Sequence, residues 1–111
     1  MSTPLEKDDQ AASSYRGGSL TGSSESELKR LREHIDEADR ELLRTLAERL
    51  EFVVQIGKLK RQEGLEVRDE KRRSDVISSR ISNGRNLGIS EELVRKLFEA
   101  ILDHAETLEK K

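Results

Sequence analysis

Residues 25–62 read ESELKRLREHIDEADRELLRTLAERLEFVVQIGKLKRQ, and this stretch decides the fold. Apolar residues recur at Leu28, Leu31, Ile35, Ala38, Leu42, Leu46, Leu50 and Val53, followed by Gly57, in steps of three and four that match the helical repeat. Ser24 stands before it as the expected N-cap, and Glu25 and Glu27 place negative charge in the first turn. Leu43, Ala47, Val54, Ile56 and Leu59 widen the stripe in its second half, so that half should face more than one neighbour. At 1.5 Å per residue the helix is roughly 57 Å long, about twice the diameter of a compact domain of this size. It is expected to pack along a second chain, most simply a symmetry mate.

Composition points the same way. Hydrophobic residues make up 32% of the 111 residues and aromatics only 3%, too little large apolar mass for a thick private core. Charged residues reach 40%, but 21 basic and 23 acidic side chains nearly cancel, which suits the solvated faces of helices better than disorder. The net charge of −2 gives no general case for nucleic acid or membrane binding, so any anion site must be local. The chain has no cysteine, which excludes disulfides, thiol nucleophiles and thiolate metal sites. With no apolar leader at the N-terminus and no run of about 20 apolar residues, a soluble cytoplasmic protein is expected.

Residues 1–24 hold the single proline with many Ser, Gly and Thr and show no periodicity, so they read as a flexible tail ahead of a helical domain over residues 25–111. Tyr15-Arg16 is the one docking element the tail offers. After the long helix, Gly64 interrupts the pattern and Val67 can plug the core from the loop. Asp69 is then an N-cap for a shorter helix reaching about Asn83, with a narrow stripe of Val76, Ile77 and Ile81. Asn83-Gly84 predicts a left-handed stop. A third, medium helix starts at Ser90, with Ile89 and Val94 spaced for a hydrophobic staple, and carries Leu93, Leu97, Phe98, Ile101, Leu102, Ala105 and Leu108 on one face. The expected fold class is all-α, with three helices per subunit in a helical dimer.

The cations then stand out. At about 100° per residue, Arg49 and Lys60 fall within about 20° of each other and about 16 Å apart along the axis, close enough for two long side chains to hold a small dianion. Arg32 lies about 25 Å before Arg49 on a different face, so only the Arg32 of an antiparallel partner could join them. Taken singly, each reads first as a solvated surface charge. Lys71-Arg72-Arg73 opens the second helix nearby, without the aromatic platform of a single-strand binder. No phosphate-binding loop, dinucleotide fingerprint or paired metal-ligand spacing occurs, and His34 and His104 read as structural or exposed. A unimolecular rearrangement, driven by fixing conformation and stabilising developing charge, fits a site built of cations alone.

Leu31-Arg-Glu-His-Ile-Asp-Glu-Ala-Asp39, Leu42-Leu43, Ala47-Glu-Arg49, Ile56-Gly-Lys-Leu-Lys60, Val67-Arg-Asp69, Arg72 and Leu97-Phe98 with Ile101 together resemble the all-helical chorismate mutases over about residues 26–109. The resemblance implies an intertwined homodimer of three-helix subunits that converts chorismate to prephenate by a Claisen rearrangement, for phenylalanine and tyrosine biosynthesis, with no cofactor and no metal. It implies that Arg49 binds one substrate carboxylate and the partner's Arg32 the other. Lys60 would donate to the ether oxygen, the backbone at Asp69 would meet the ring hydroxyl, and Arg72 would support the carboxylate network.

Three positions depart from the bacterial pattern. Arg73 replaces a glutamate that accepts from the ring hydroxyl; it either donates there itself or pairs with Glu70. Ala105 replaces a serine near a carboxylate. Glu109 replaces a glutamine that donates to the ether oxygen, and since a carboxylate cannot donate, it helps only when protonated, unless it frays into solvent. Two other functions compete: an isochorismate pyruvate-lyase with the same cationic pocket, and a non-catalytic helical dimer that regulates an enzyme of the aromatic pathway.

Overall fold

A computed structural model describes residues 22–111. The flexible tail expected over residues 1–24, with its Tyr15-Arg16 pair, lies outside the described residues up to residue 21. Three helices follow: α1, Gly22–Glu63; α2, Glu70–Asn86; and α3, Glu91–Glu109. Among the described residues there is no strand. The first helix begins two residues ahead of Ser24, which therefore sits within its first turn and not at its cap.

Both helix ends that face the loops close in the same way. Gly64 adopts φ 69°, its N–H approaches the Arg61 carbonyl at 3.4 Å, and Leu65 N–H reaches back to the Lys60 carbonyl at 2.8 Å. This is the paired bonding of a Schellman stop. Asp69 then caps α2 as the sequence predicts, its carboxylate accepting from Arg72 N–H at 3.0 Å. Ser90 likewise caps α3, accepting from Leu93 N–H at 3.2 Å.

The stop predicted at Asn83-Gly84 is corrected by the structure. Gly84 continues the helix with an ordinary negative φ, and the left-handed residue is Gly88, at φ 81°. Ile89 N–H bonds to the Gly84 carbonyl at 2.8 Å and Gly88 N–H to that of Arg85 at 3.0 Å, a second Schellman stop four residues further on. Gly84 is small for a packing reason: a Cβ there would lie 2.6 Å from Val94 Cγ2 on α3. The glycine lets α2 and α3 close on each other directly after their turn.

Packing radiates from α3, which lies against both other helices, while the backbones of α1 and α2 stay apart. The buried apolar residues are few and mostly small: Val53 on α1, Val76 and Ile81 on α2, Val94 and Ala105 on α3. Val67 is half-buried beneath the loop. Against this thin core, every residue from 29 to 45 is exposed, including Leu31, Ile35, Leu42 and Leu43. Phe52, Val54, Ile56 and Leu59 extend the open apolar surface toward the end of α1. The molecule measures 63 Å along its longest axis with a radius of gyration of 19.0 Å, against roughly 12 Å for a compact domain of about 90 residues.

The two glycines of the second turn separate experimentally. Gly84→Ala is expected to destabilise by about 1–3 kcal/mol through overpacking, and Gly88→Ala by about 1–2 kcal/mol through the left-handed backbone. Urea unfolding at one fixed chain concentration measures both. A double-mutant cycle of Gly84→Ala with Val94→Ala should show a coupling of roughly 0.5 kcal/mol or more, whereas Gly88→Ala with Val94→Ala should be additive.

Candidate active site

The close approach of α1 and α3 at their C-terminal ends builds the site. A Cβ on Gly57 would sit 2.9 Å from Glu109 Cα and 3.1 Å from the Glu109 carbonyl oxygen, so the last turn of α3 rests on bare α1 backbone. Arg61 Nη1 donates to that carbonyl at 2.9 Å and closes the contact. Glu109 is consequently not frayed: its side chain is 11% exposed and Oε1 lies 2.8 Å from Lys60 Nζ. Lys60, 20% exposed, also donates to the Val67 carbonyl at 2.7 Å, leaving one of its three hydrogens uncommitted.

Lys60, Asp69, Arg72, Arg73 and Glu109 line one depression of about 70 Å³. Val67, Leu102 and the buried Ala105 supply its apolar lining, and Glu106 a further carboxylate. Of the residues singled out by sequence, Arg49 and Arg32 do not line it. Arg49 is half-buried on α1, and burial first, then the charges of Arg80 and Arg72, hold its guanidinium below the ordinary value. An arginine stays charged regardless, so this lowering marks positive charge lacking a counterion. Among the described residues, neither Arg49, Arg72 nor Arg80 has a carboxylate partner. Arg32 is exposed far along α1, beside Glu25, Leu28 and Asp36, apart from the depression of its own chain.

Arg73 does not pair with Glu70. Its side chain, 16% exposed, crosses from α2 to α3, with Nη2 2.7 Å from Asp103 Oδ1 and Nη1 3.2 Å from Glu106 Oε2. Glu70 is taken instead by Arg68, at 2.5 Å, whose guanidinium also approaches Glu106 at 3.3 Å. The reason is geometric: α3 offers two carboxylates one turn apart directly opposite Arg73, while Glu70 sits at the helix start beside the loop.

Sequence reasoning passed over Glu106, Arg61 and Arg80. The signals were present: Glu106 is three residues before Glu109 and shares its helical face, and Arg72, Val76 and Arg80 fall on one face of α2 at steps of four. Arg80 also lies over the Phe98 ring, 5.9 Å from its centroid. His34 and His104 are both exposed, and His34 lies 3.3 Å from Arg30. No helix among the described residues is long and apolar enough to cross a membrane.

Comparison with known proteins identifies the family. Residues 31–110 match the family described as chorismate mutase type II. The chain is 39% identical over 71 residues to the T-protein of Haemophilus influenzae, covering 64% of this chain and 19% of that protein. It is 36% identical over 80 residues to the bifunctional chorismate mutase/prephenate dehydratase of Escherichia coli, covering 72% of this chain and 21% of that protein. A chorismate mutase of Methanocaldococcus jannaschii is 25% identical over 83 residues, 75% of this chain and 84% of that protein. The chain thus spans about a fifth of the length of the first two relatives and most of the third. With 80 consecutive residues matched, including every helix that contributes to the depression, the chain belongs to the chorismate mutase type II family.

Proposed function

We propose that this chain is a chorismate mutase, rearranging chorismate to prephenate within a homodimer. The observation that carries the reading is a trio of arginines without a carboxylate partner, Arg49, Arg72 and Arg80, of which Arg72 lines the depression with Lys60, in a chain of this family. Chorismate is a dianion, and guanidinium groups grip carboxylates with two parallel hydrogen bonds. In the reaction the ether carbon–oxygen bond breaks as a new carbon–carbon bond forms, with no proton transferred and no cofactor consumed. The enzyme's task is to fix a folded conformation and to meet the negative charge that grows on the ether oxygen. Lys60 supplies that donor, and Glu109 adds a second only while it carries its proton.

The dimer follows from the uncovered face of α1. Leu31, Ile35, Leu42 and Leu43 are 36%, 49%, 59% and 63% exposed in an amphipathic helix, and a second copy packed antiparallel covers them. That copy brings its Arg32 toward Arg49 of the first, giving each substrate carboxylate a guanidinium. Asp69 meets the ring hydroxyl through its backbone, and Arg72 braces the carboxylate end. We place the protein in the cytoplasm, in phenylalanine and tyrosine synthesis, where an enzyme acting on prephenate consumes its product; the bifunctional relative couples two such activities by name.

Purified protein should consume chorismate and yield prephenate. Salicylate and pyruvate from isochorismate would indicate the lyase instead, and no turnover of either a non-catalytic dimer. Lys60→Ala should lower kcat by about 100- to 1000-fold, the usual cost of one donor to a developing oxyanion.

Subunit sharing has its own readout. Arg32→Ala and Lys60→Ala chains, each nearly inactive alone, should regain about one good site per mixed dimer; activity that stays flat on mixing excludes a trans Arg32.

Glu109→Gln tests the second donor: a permanent donor at that position should raise kcat, and an unchanged kcat would remove Glu109 from the reaction.

A further inference from the structure

The ring hydroxyl of chorismate needs an acceptor as well as a donor, and Arg73, which lines the depression, can only donate. Three carboxylates line the depression: Asp69, Glu106 and Glu109. Asp69 is engaged as the cap of α2, accepting from Arg72 N–H at 3.0 Å, and Glu109 is engaged by Lys60 at 2.8 Å. Glu106, one turn before Glu109 on the same face of α3, is the one of the three held by two guanidiniums.

We propose that Glu106 accepts the hydrogen bond of the substrate's ring hydroxyl, with Arg73 and Arg68 as the positioning residues that hold its carboxylate; the assignment rests on the chorismate mutase reading above. Glu106 is 21% exposed, so its carboxylate is held at the wall of the depression and does not swing in solvent. Oε2 takes both guanidiniums, Arg73 at 3.2 Å and Arg68 at 3.3 Å. Oε1 has only a 3.5 Å contact with Arg68, at the outer limit of a hydrogen bond, so its lone pairs stay open to a further donor. Arg73 is itself fixed, anchored on Asp103 at 2.7 Å. The acceptor stands on α3, and an arginine on α2 points it.

Charge explains why the arginines belong to the arrangement. A bare carboxylate beside a dianionic substrate would repel it. Two guanidiniums on one oxygen offset that repulsion while the other oxygen stays free to accept.

The test compares kcat/KM for chorismate and for its analogue lacking the ring hydroxyl, with the full chain. Glu106→Leu, similar in volume but without an acceptor, should lose about ten- to a hundredfold on chorismate and little on the analogue, so the ratio between the substrates falls by the same factor. Glu106→Gln keeps a carbonyl oxygen and should retain most of the ratio. Arg73→Gln should lower it less than Glu106→Leu, because Arg68 still holds the acid. If Glu106→Leu fails to fold, Glu106→Ala carries the same comparison. A ratio that stays at the wild-type value while both substrates slow together makes Glu106 merely structural and overturns the assignment alone. A wild-type chain that turns over neither substrate overturns the chorismate mutase reading and this assignment with it.

Discussion

Two helices touch backbone to backbone where Gly57 meets Glu109, and the geometry of the depression depends on that contact. Lys60 lies three residues beyond Gly57, on the same side of α1, so the close approach carries its ammonium to the Glu109 carboxylate. The same ammonium holds the Val67 carbonyl, and the loop it fixes leads directly to Asp69, which starts α2. One lysine thus ties the end of α1, the loop and the last turn of α3. Arg61 adds the clasp on a carbonyl that the helix end would otherwise leave without an intrahelical donor. Any side chain at position 57 would push α3 outward and separate the groups that line the depression.

The opposite end of the molecule is governed by what is missing from its own chain. The N-terminal half of α1 is laced with ion pairs one turn apart, Arg30 with Glu27, Arg40 with Glu37 and Arg44 with Glu41. These pairs are solvent-exposed, so screening leaves them little weight in stability. A helix of 42 residues with a continuous apolar stripe gains its stability from covering that stripe. The polar lacing keeps the other faces wet and leaves one apolar face uncovered.

Much of this was legible in the sequence, for identifiable reasons. The long helix follows from an uninterrupted apolar period, and the caps at Asp69 and Ser90 from side chains whose oxygens compete for backbone N–H groups. The proximity of the α2 start to Lys60 follows from a loop too short to go elsewhere. Gly84 was misread because a glycine after asparagine carries the signature of a left-handed stop, while its actual role, making room for Val94, depends on a contact between two helices. The start of α1 ran past Ser24 because neighbouring residues continued the helix despite weak propensity. Arg73 was placed on the right helix, and of its two readings the pairing with Glu70 does not hold. Helical spacing favours Glu70, and only the packing of α2 on α3 reveals that Asp103 and Glu106 stand closer.

Arginines of one chemical type divide into two kinds here, those matched by an acid and those that are not. Arg73 and Arg68 are matched by Asp103, Glu106 and Glu70, so their corner of the depression carries little net field. Arg49, Arg72 and Arg80 are matched by no acid among the described residues, and the Arg49 guanidinium feels both its burial and its like-charged neighbours. An anion entering between these corners is drawn to the unmatched one, because only there does binding relieve repulsion already present in the free protein. Its uncharged polar end is left toward the matched corner, where a carboxylate already held by two guanidiniums can accept a hydrogen bond without repelling the rest of the molecule. Orientation in such a site is set before any contact is made, by the placement of acids on α3 opposite one arginine of α2 and not opposite the other.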